Sequence, residues 1–210
     1  MSNGRQMRGS RFSWVSAVAL AMGLLAAPVA NAKDVEFMID PGHTTVGFTV
    51  KHMFSNTTGR FDDFSGTLSL DPKTGVLSAV KGVVKTASVN TNHEKRDGHL
   101  KSPDFFNVEK IPTMTFVGKT FRQDGKKQVV TGDFTLLGVT KSVTWEIEFL
   151  GVGADPWGGT RAGFTATTTI DRKDYGMTFN KVLDNGGLLV GEEVSLRLDI
   201  EAMLPPAPKK

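Results

Sequence analysis

Val143-Thr144-Trp145-Glu146-Ile147-Glu148-Phe149 places an apolar side chain at every second position and a polar one between. A period of two belongs to an extended strand with one buried face, since a helix would repeat at 3.6. The same pattern runs through Val194, Leu196, Leu198 and Ile200, set against Ser195, Arg197, Asp199 and Glu201. Val46, Phe48 and Val50 alternate in the same way with Thr45, Gly47, Thr49 and Lys51. Phe64, Leu68 and Leu70 continue the series, and Phe61 is out of step with them, which points to a bulge at Asp62-Asp63. Weaker versions lie at Val80 to Thr86, Met114 to Thr120, Val130 to Leu136 and Phe164 to Ile170.

Between these runs the punctuation is hairpin chemistry: Asp71-Pro72-Lys73-Thr74-Gly75, Asp124-Gly125 and Gly138-Val139-Thr140. The strands are expected near 43–52, 57–70, 76–89, 112–123, 127–138, 141–152, 161–170 and 192–203, antiparallel and in simple order. A sandwich and a closed barrel share this alternation. Closure removes the exposed edges, so the expected class is all-β, an eight-stranded antiparallel up-and-down barrel.

Following the chain up and down puts the connections 53–56, 90–111, 139–140 and 171–191 at one end. Long connections usually carry binding loops or lids, so this end is the expected mouth. Asn92 to Lys101 is polar with a helical look, which predicts a short helical lid segment. Strands of 10 to 14 residues at ~3.3 Å each and tilted ~40° make a barrel on the order of 30 Å tall. Such a barrel either fills with side chains or holds one small ligand, and alternation by itself leaves both readings open.

The N-terminus is a separate matter. Arg5, Arg8 and Arg11 precede a nearly wholly apolar run from Trp14 to Ala30, and Ala30-Asn31-Ala32 is a small-x-small cleavage site. This is the pattern of a secretory signal peptide over residues 1–32, cleaved after Ala32, with a retained anchor as the alternative. The whole chain has 25 basic and 22 acidic residues, but the leader holds three arginines and no acid, so the part from Lys33 is balanced. A balanced domain gives phosphate attraction no support, and nucleic acid is not an expected partner. Cysteine is absent, which removes disulfides and thioether lipidation.

Four stretches carry a resemblance. Ile39-Asp40-Pro41-Gly42-His43-Thr44-Thr45-Val46-Gly47-Phe48, with Val50 and His52, is the first, and Thr58-Gly59-Arg60-Phe61 leading to Phe64-Ser65-Gly66 the second. Arg96-Asp97-Gly98-His99-Leu100-Lys101-Ser102-Pro103-Asp104-Phe105-Phe106, running to Ile111-Pro112-Thr113-Met114-Thr115-Phe116, is the third. Gly132-Asp133-Phe134-Thr135-Leu136-Leu137-Gly138-Val139-Thr140-Lys141 is the fourth. Together they resemble the YceI-like family of exported bacterial lipid-binding proteins, in order and spacing, over residues 33–203, with 204–210 left as a disordered C-terminal tail. The resemblance implies a lipocalin-like barrel whose elongated apolar pocket binds polyisoprenoid chains, such as isoprenoid quinones or isoprenyl phosphates, or fatty-acid derivatives. A homodimer and transient contact with a membrane or membrane protein are further expectations of the resemblance. No cofactor is expected beyond the bound lipid.

The apolar pocket is expected to use Val46, Phe48, Val50, Phe64, Leu68, Met114, Phe116, Phe134, Trp145, Ile147 and Phe164, each of which also reads as plain core. Headgroup candidates at the mouth are His52, Arg96, His99, Lys101 and Tyr175, with His93 and Lys181 beside them. Arg96 has a second reading, as a salt-bridge partner of Asp97 or Asp104 that pins the lid. His93 and His99 are six apart, not the i, i+4 spacing of a helical zinc site, so no metal is expected. The chain lacks a Gly-x-Ser-x-Gly elbow, and the inward positions supply no acid, base or nucleophile. The expected function is therefore not enzymatic: a periplasmic carrier for a long-chain amphiphile, with a non-catalytic envelope stress or interaction protein having a packed barrel as the alternative.

Overall fold

The computed structural model describes Met1 and residues 34–124, 127–183 and 188–204. The predicted leader, apart from Met1, and residues 205–210 of the predicted tail lie outside the described residues. Leu204, assigned above to the tail, belongs to the fold, because its N–H donates to Thr160 O at 3.0 Å.

The strands are β1 (Val35–Ile39), β2 (Thr45–His52), β3 (Ser55–Phe61), β4 (Phe64–Leu70), β5 (Leu77–Lys85), β6 (Val89–Asn90), β7 (Thr113–Asp124), β8 (Lys127–Leu136), β9 (Val139–Ala154), β10 (Thr160–Asp171) and β11 (Val190–Met203). They form one antiparallel sheet that closes on itself through β1 and β11. The predicted barrel is present, with three of its staves broken. β1 and β2 lie end to end along β11: Ile39 pairs with Ala202 and Thr45 with Asp199. β3 and β4 lie end to end beside them, β3 on β2 and β4 on β1. β5 and β6 continue the pattern, β5 on β4 and β6 on β3, so with each of these three broken pairs counted as one stave the barrel has eight.

The break at Asp62-Asp63 is what put Phe61 out of step. Asp62 N–H donates to Ser88 O, and Lys85 N–H donates to Asp63 O, so the backbone there leaves the regular ladder and is paired elsewhere. Both Phe61 and Phe64 then turn inward, which a continuous strand would not allow. The predicted strand 76–89 ends early, at Lys85, in a 3-10 turn over Thr86–Ser88. From there β6 pairs with β3, at Arg60 with Asn90. β1 was missed in the sequence because five residues carry too little alternation to read. The turn after β8 is Leu137-Gly138, not 139–140: φ is +52° and +77°, the pair of left-handed residues that a two-residue hairpin requires.

The predicted lid is helix α1 (Glu94–Lys101), whose first turn is capped by His93, with Nδ1 accepting from Arg96 N–H at 3.3 Å. At the other end of the barrel, Gln128 is 5% exposed and fully employed. Its Oε1 accepts from Leu77 N–H and its Nε2 donates to Gly75 O, both at 2.8 Å, which ties the β4–β5 turn to β8. Gly75 has φ +72°, and a Cβ there would lie 2.3 Å from the Phe149 ring, so glycine is required twice over.

Arg161, at the start of β10, bonds Asp40 and Glu201 through Nη1 at 2.5 Å each and Asp155 through Nε at 3.0 Å. It thereby joins the β1–β2 break, the β9–β10 turn and β11. The guanidinium and His43 hold the Asp40 carboxyl at about 2, below its ordinary 3.8. A carboxylate depressed in the folded state stabilises it above the unfolded value, so this contribution is present above 3.8 and lost as the pH falls toward about 2. Arg161→Met is expected to lower stability at neutral pH and to flatten the stability-against-pH curve in that acid window. Urea denaturation at a series of pH values checks this, and an unchanged acid slope would contradict it.

Candidate functional site

Inside the barrel is a cavity of about 580 Å³. Its wall is built by the alternation itself, which sends every second side chain of each strand inward. On β8, β9 and β10 these residues are packed tight: Phe134 is 6% exposed, Trp145 5%, Ile147 6% and Phe164 1%. On β2 and β11 the inward residues Val46, Phe48, Val50, Val194, Leu196, Leu198 and Ile200 are only half-buried, although they line the same cavity. The void therefore lies against β2 and β11, with β8 to β10 forming its solid back.

All eleven residues predicted for the apolar pocket line this cavity: Val46, Phe48, Val50, Phe64, Leu68, Met114, Phe116, Phe134, Trp145, Ile147 and Phe164. Rings meet along the wall, Phe116 with Trp145 at 5.9 Å and Phe48 with Phe61 at 5.7 Å. Among the described residues, the Trp145 indole Nε1 is the one buried side-chain polar atom without a hydrogen-bond partner.

At the mouth the outcome is mixed. His52, Arg96 and His99 line the cavity, as do His93 and Lys181. Lys101 and Tyr175 do not. The wall-facing side of α1 consists of Lys95, Arg96, His99 and Leu100, and 3.6-residue periodicity carries Lys101 off that side. Tyr175 ends a 3-10 turn over Arg172–Tyr175 that folds the ring into the core, 3% exposed and edge-on to Phe134 at 5.6 Å. Burial pushes its phenol upward. Arg96 does pin the lid, through a threonine and not through an acid. Its Nε donates to Thr91 Oγ1 at 2.7 Å and its Nη2 to Thr91 O at 2.8 Å, while Asp97 accepts from Thr91 N–H at 2.9 Å. Asp104 pairs with His99 instead, at 2.9 Å.

Sequence reasoning missed Phe61, Phe105, Phe106, Met177, Phe179 and Arg172 as wall residues. Phe105 and Phe106 were legible as a pair of aromatics after the lid, and their burial at 7% and 8% is what closes that side. Arg172 lies in a family-like stretch, Asp171 to Met177, but gave no signal as a wall residue, because an arginine in a polar loop is usually solvated.

Asp40, His43 and Glu201 place potential metal-ligand atoms within 4.8 Å of one another. Arg161 Nη1 already lies between the two carboxylates, in the position a cation would take.

The chain matches the YceI-like domain over residues 37–202, nearly the full length of the barrel. It belongs to the YceI-like family. A UPF0312 protein of Pseudomonas paraeruginosa is 40% identical over 190 residues, covering 90% of this chain and 96% of that protein. Among solved structures, the Campylobacter jejuni YceI protein is similar with a TM-score of 0.65 at 32% identity, over 74% of this chain and 90% of that one. A polyisoprenoid binding domain from Saccharophagus degradans shares the fold at 17% identity and a TM-score of 0.62, over 82% of this YceI-like chain and all of that domain.

Proposed function

We propose that this YceI-like chain is an exported, non-catalytic carrier that holds a polyisoprenoid or similar long-chain amphiphile in its barrel. The observation that carries this is the hollow itself: about 580 Å³ enclosed by inward apolar side chains, with those of β2 and β11 left half-covered. Side chains prepared for burial and left facing a void are stabilised by an apolar occupant, at ~25 cal/mol for each Å² covered. Isoprenoid binding in the Saccharophagus degradans domain of the same fold agrees with it, and the leader over residues 1–32 agrees with a periplasmic location. A void of this size argues against the packed-barrel interaction protein.

Loading fits a membrane surface. Phe54 at the β2–β3 tip is 87% exposed and Val182 is 73% exposed, with Met53 and Leu188 beside them at 37% and 43%. Met53 N–H donates to Leu189 O and Val182 bridges to Leu188, so these four apolar side chains belong to one rim of the mouth. Singly exposed apolar residues are ordinary, and a cluster at the opening of an apolar cavity is a contact surface. The test is expression of the secreted chain in its native host, followed by mass spectrometry of the denatured extract. About one equivalent of a long-chain amphiphile per protein is expected, and repeated absence of any lipid would overturn the reading.

A further inference from the structure

Five lysines and arginines are among the residues lining the cavity, Lys81, Lys95, Arg96, Arg172 and Lys181, Lys81 with its side chain turned outward by strand parity, and among the described residues no aspartate or glutamate is. From Lys33 onward the chain has as many acids as bases, so the asymmetry belongs to the site and not to the composition. The acids nearby are occupied elsewhere: Asp97 by Thr91, Asp104 by His99 and Glu192 by Lys173.

Arg172 is the most telling of the five. It is 2% exposed, yet its guanidinium meets only neutral carbonyls, those of Met177 at 2.6 Å, Gly191 at 2.8 Å and Val190 at 3.4 Å. Asp171 and Glu192 act on it through space, and desolvation is the larger influence, which lowers its pKa. Three of the five guanidinium N–H groups are accounted for by those carbonyls. A buried cation without a hydrogen-bonded counter-charge is costly, and the cost is recovered when an anion arrives. Its position fits such an arrival: Val190, whose carbonyl it holds, pairs with His52 on the rim. Across the opening, the His99 ring of α1 lies 4.8 Å from Phe179.

We propose that this opening is an anion site, so that the amphiphile carried is one with a phosphate or carboxylate headgroup held between α1 and residues 172–183. The inference rests on the carrier reading above and narrows it: a neutral quinone leaves the buried guanidinium without a hydrogen-bonded counter-charge. Arg172 supplies the fixed charge behind the rim, and Lys95 and Lys181, both exposed, reach the headgroup from its two sides.

The test compares three probes on the delipidated secreted chain by titration calorimetry: geranylgeranyl phosphate, geranylgeraniol and inorganic phosphate. The phosphate ester is expected to bind at least about tenfold tighter than the alcohol at low salt, with the difference shrinking as salt rises. Arg172→Gln, and separately the double variant Lys95→Ala with Lys181→Ala, are expected to weaken the ester far more than the alcohol, erasing most of that preference while the alcohol still binds. Retained alcohol binding shows that the variant is folded, and the double variant decides the matter if Arg172→Gln does not fold. Equal binding of ester and alcohol by the unaltered chain would overturn the anion site and leave the carrier standing. Binding of inorganic phosphate as tight as that of the ester would overturn it too, by showing an ion site unrelated to the cargo. Failure of both lipids to bind would overturn the carrier and the anion site together.

Discussion

Leu196→Trp is expected to expel the cargo while leaving the barrel folded. Leu196 sits on β11 between Phe48 and Thr168, and its side chain faces the cavity half-covered. An indole at that position extends into empty space, so the usual penalty for overpacking a core, about 1–3 kcal/mol, is not incurred. Val46→Trp, opposite Leu198 on the neighbouring strand, works in the same way. Lipid recovered per protein from either variant is expected to fall by at least about tenfold, since an occupied cavity has no room for the chain it was shaped to hold. Quantitative mass spectrometry reads the loss, and a denaturation midpoint close to that of the unaltered protein shows that the fold survived. Undiminished lipid in both variants would mean that the cargo lies elsewhere.

Phe37→Ala is expected to have the largest effect on stability. Phe37 is 0% exposed on β1, between β4 and the end of β11, and lies outside the cavity wall. Removing a ring from a packed site leaves a hole that its neighbours cannot fill, at a cost of about 3–5 kcal/mol. Leu198→Ala, by contrast, deletes atoms that already border a void, and the expected cost is only about 1–2 kcal/mol in the lipid-free protein. Urea denaturation of the two variants reads the difference. Equal losses would mean that β11 is as closely packed as β1 and that the hollow is not maintained in solution.

Much of this was open to reading from the chain alone. Strict alternation in Val143 to Phe149 and Val194 to Ile200 determines which side chains go inward, and every apolar pocket residue chosen that way lines the cavity. The reason is geometric: in a strand, facing is settled by position parity, so a local pattern reports a tertiary fact. The mouth was less legible for the same reason inverted. Tyr175 and Lys101 carry suitable chemistry, but loop side chains obey no period, and a 3-10 turn and a helical face sent both away from the wall.

Composition and periodicity by themselves determined an all-β chain, its strand order and the list of inward residues. Only the tertiary structure decided that the staves also break at residues 40–44 and 86–88, that the interior is left hollow against β2 and β11, and that a buried arginine from the loop after β10 stands in its wall. Whether a barrel is full or empty depends on how side chains from distant strands meet across its axis. Where a loop arginine comes to rest depends on which carbonyls the folded backbone leaves within its reach.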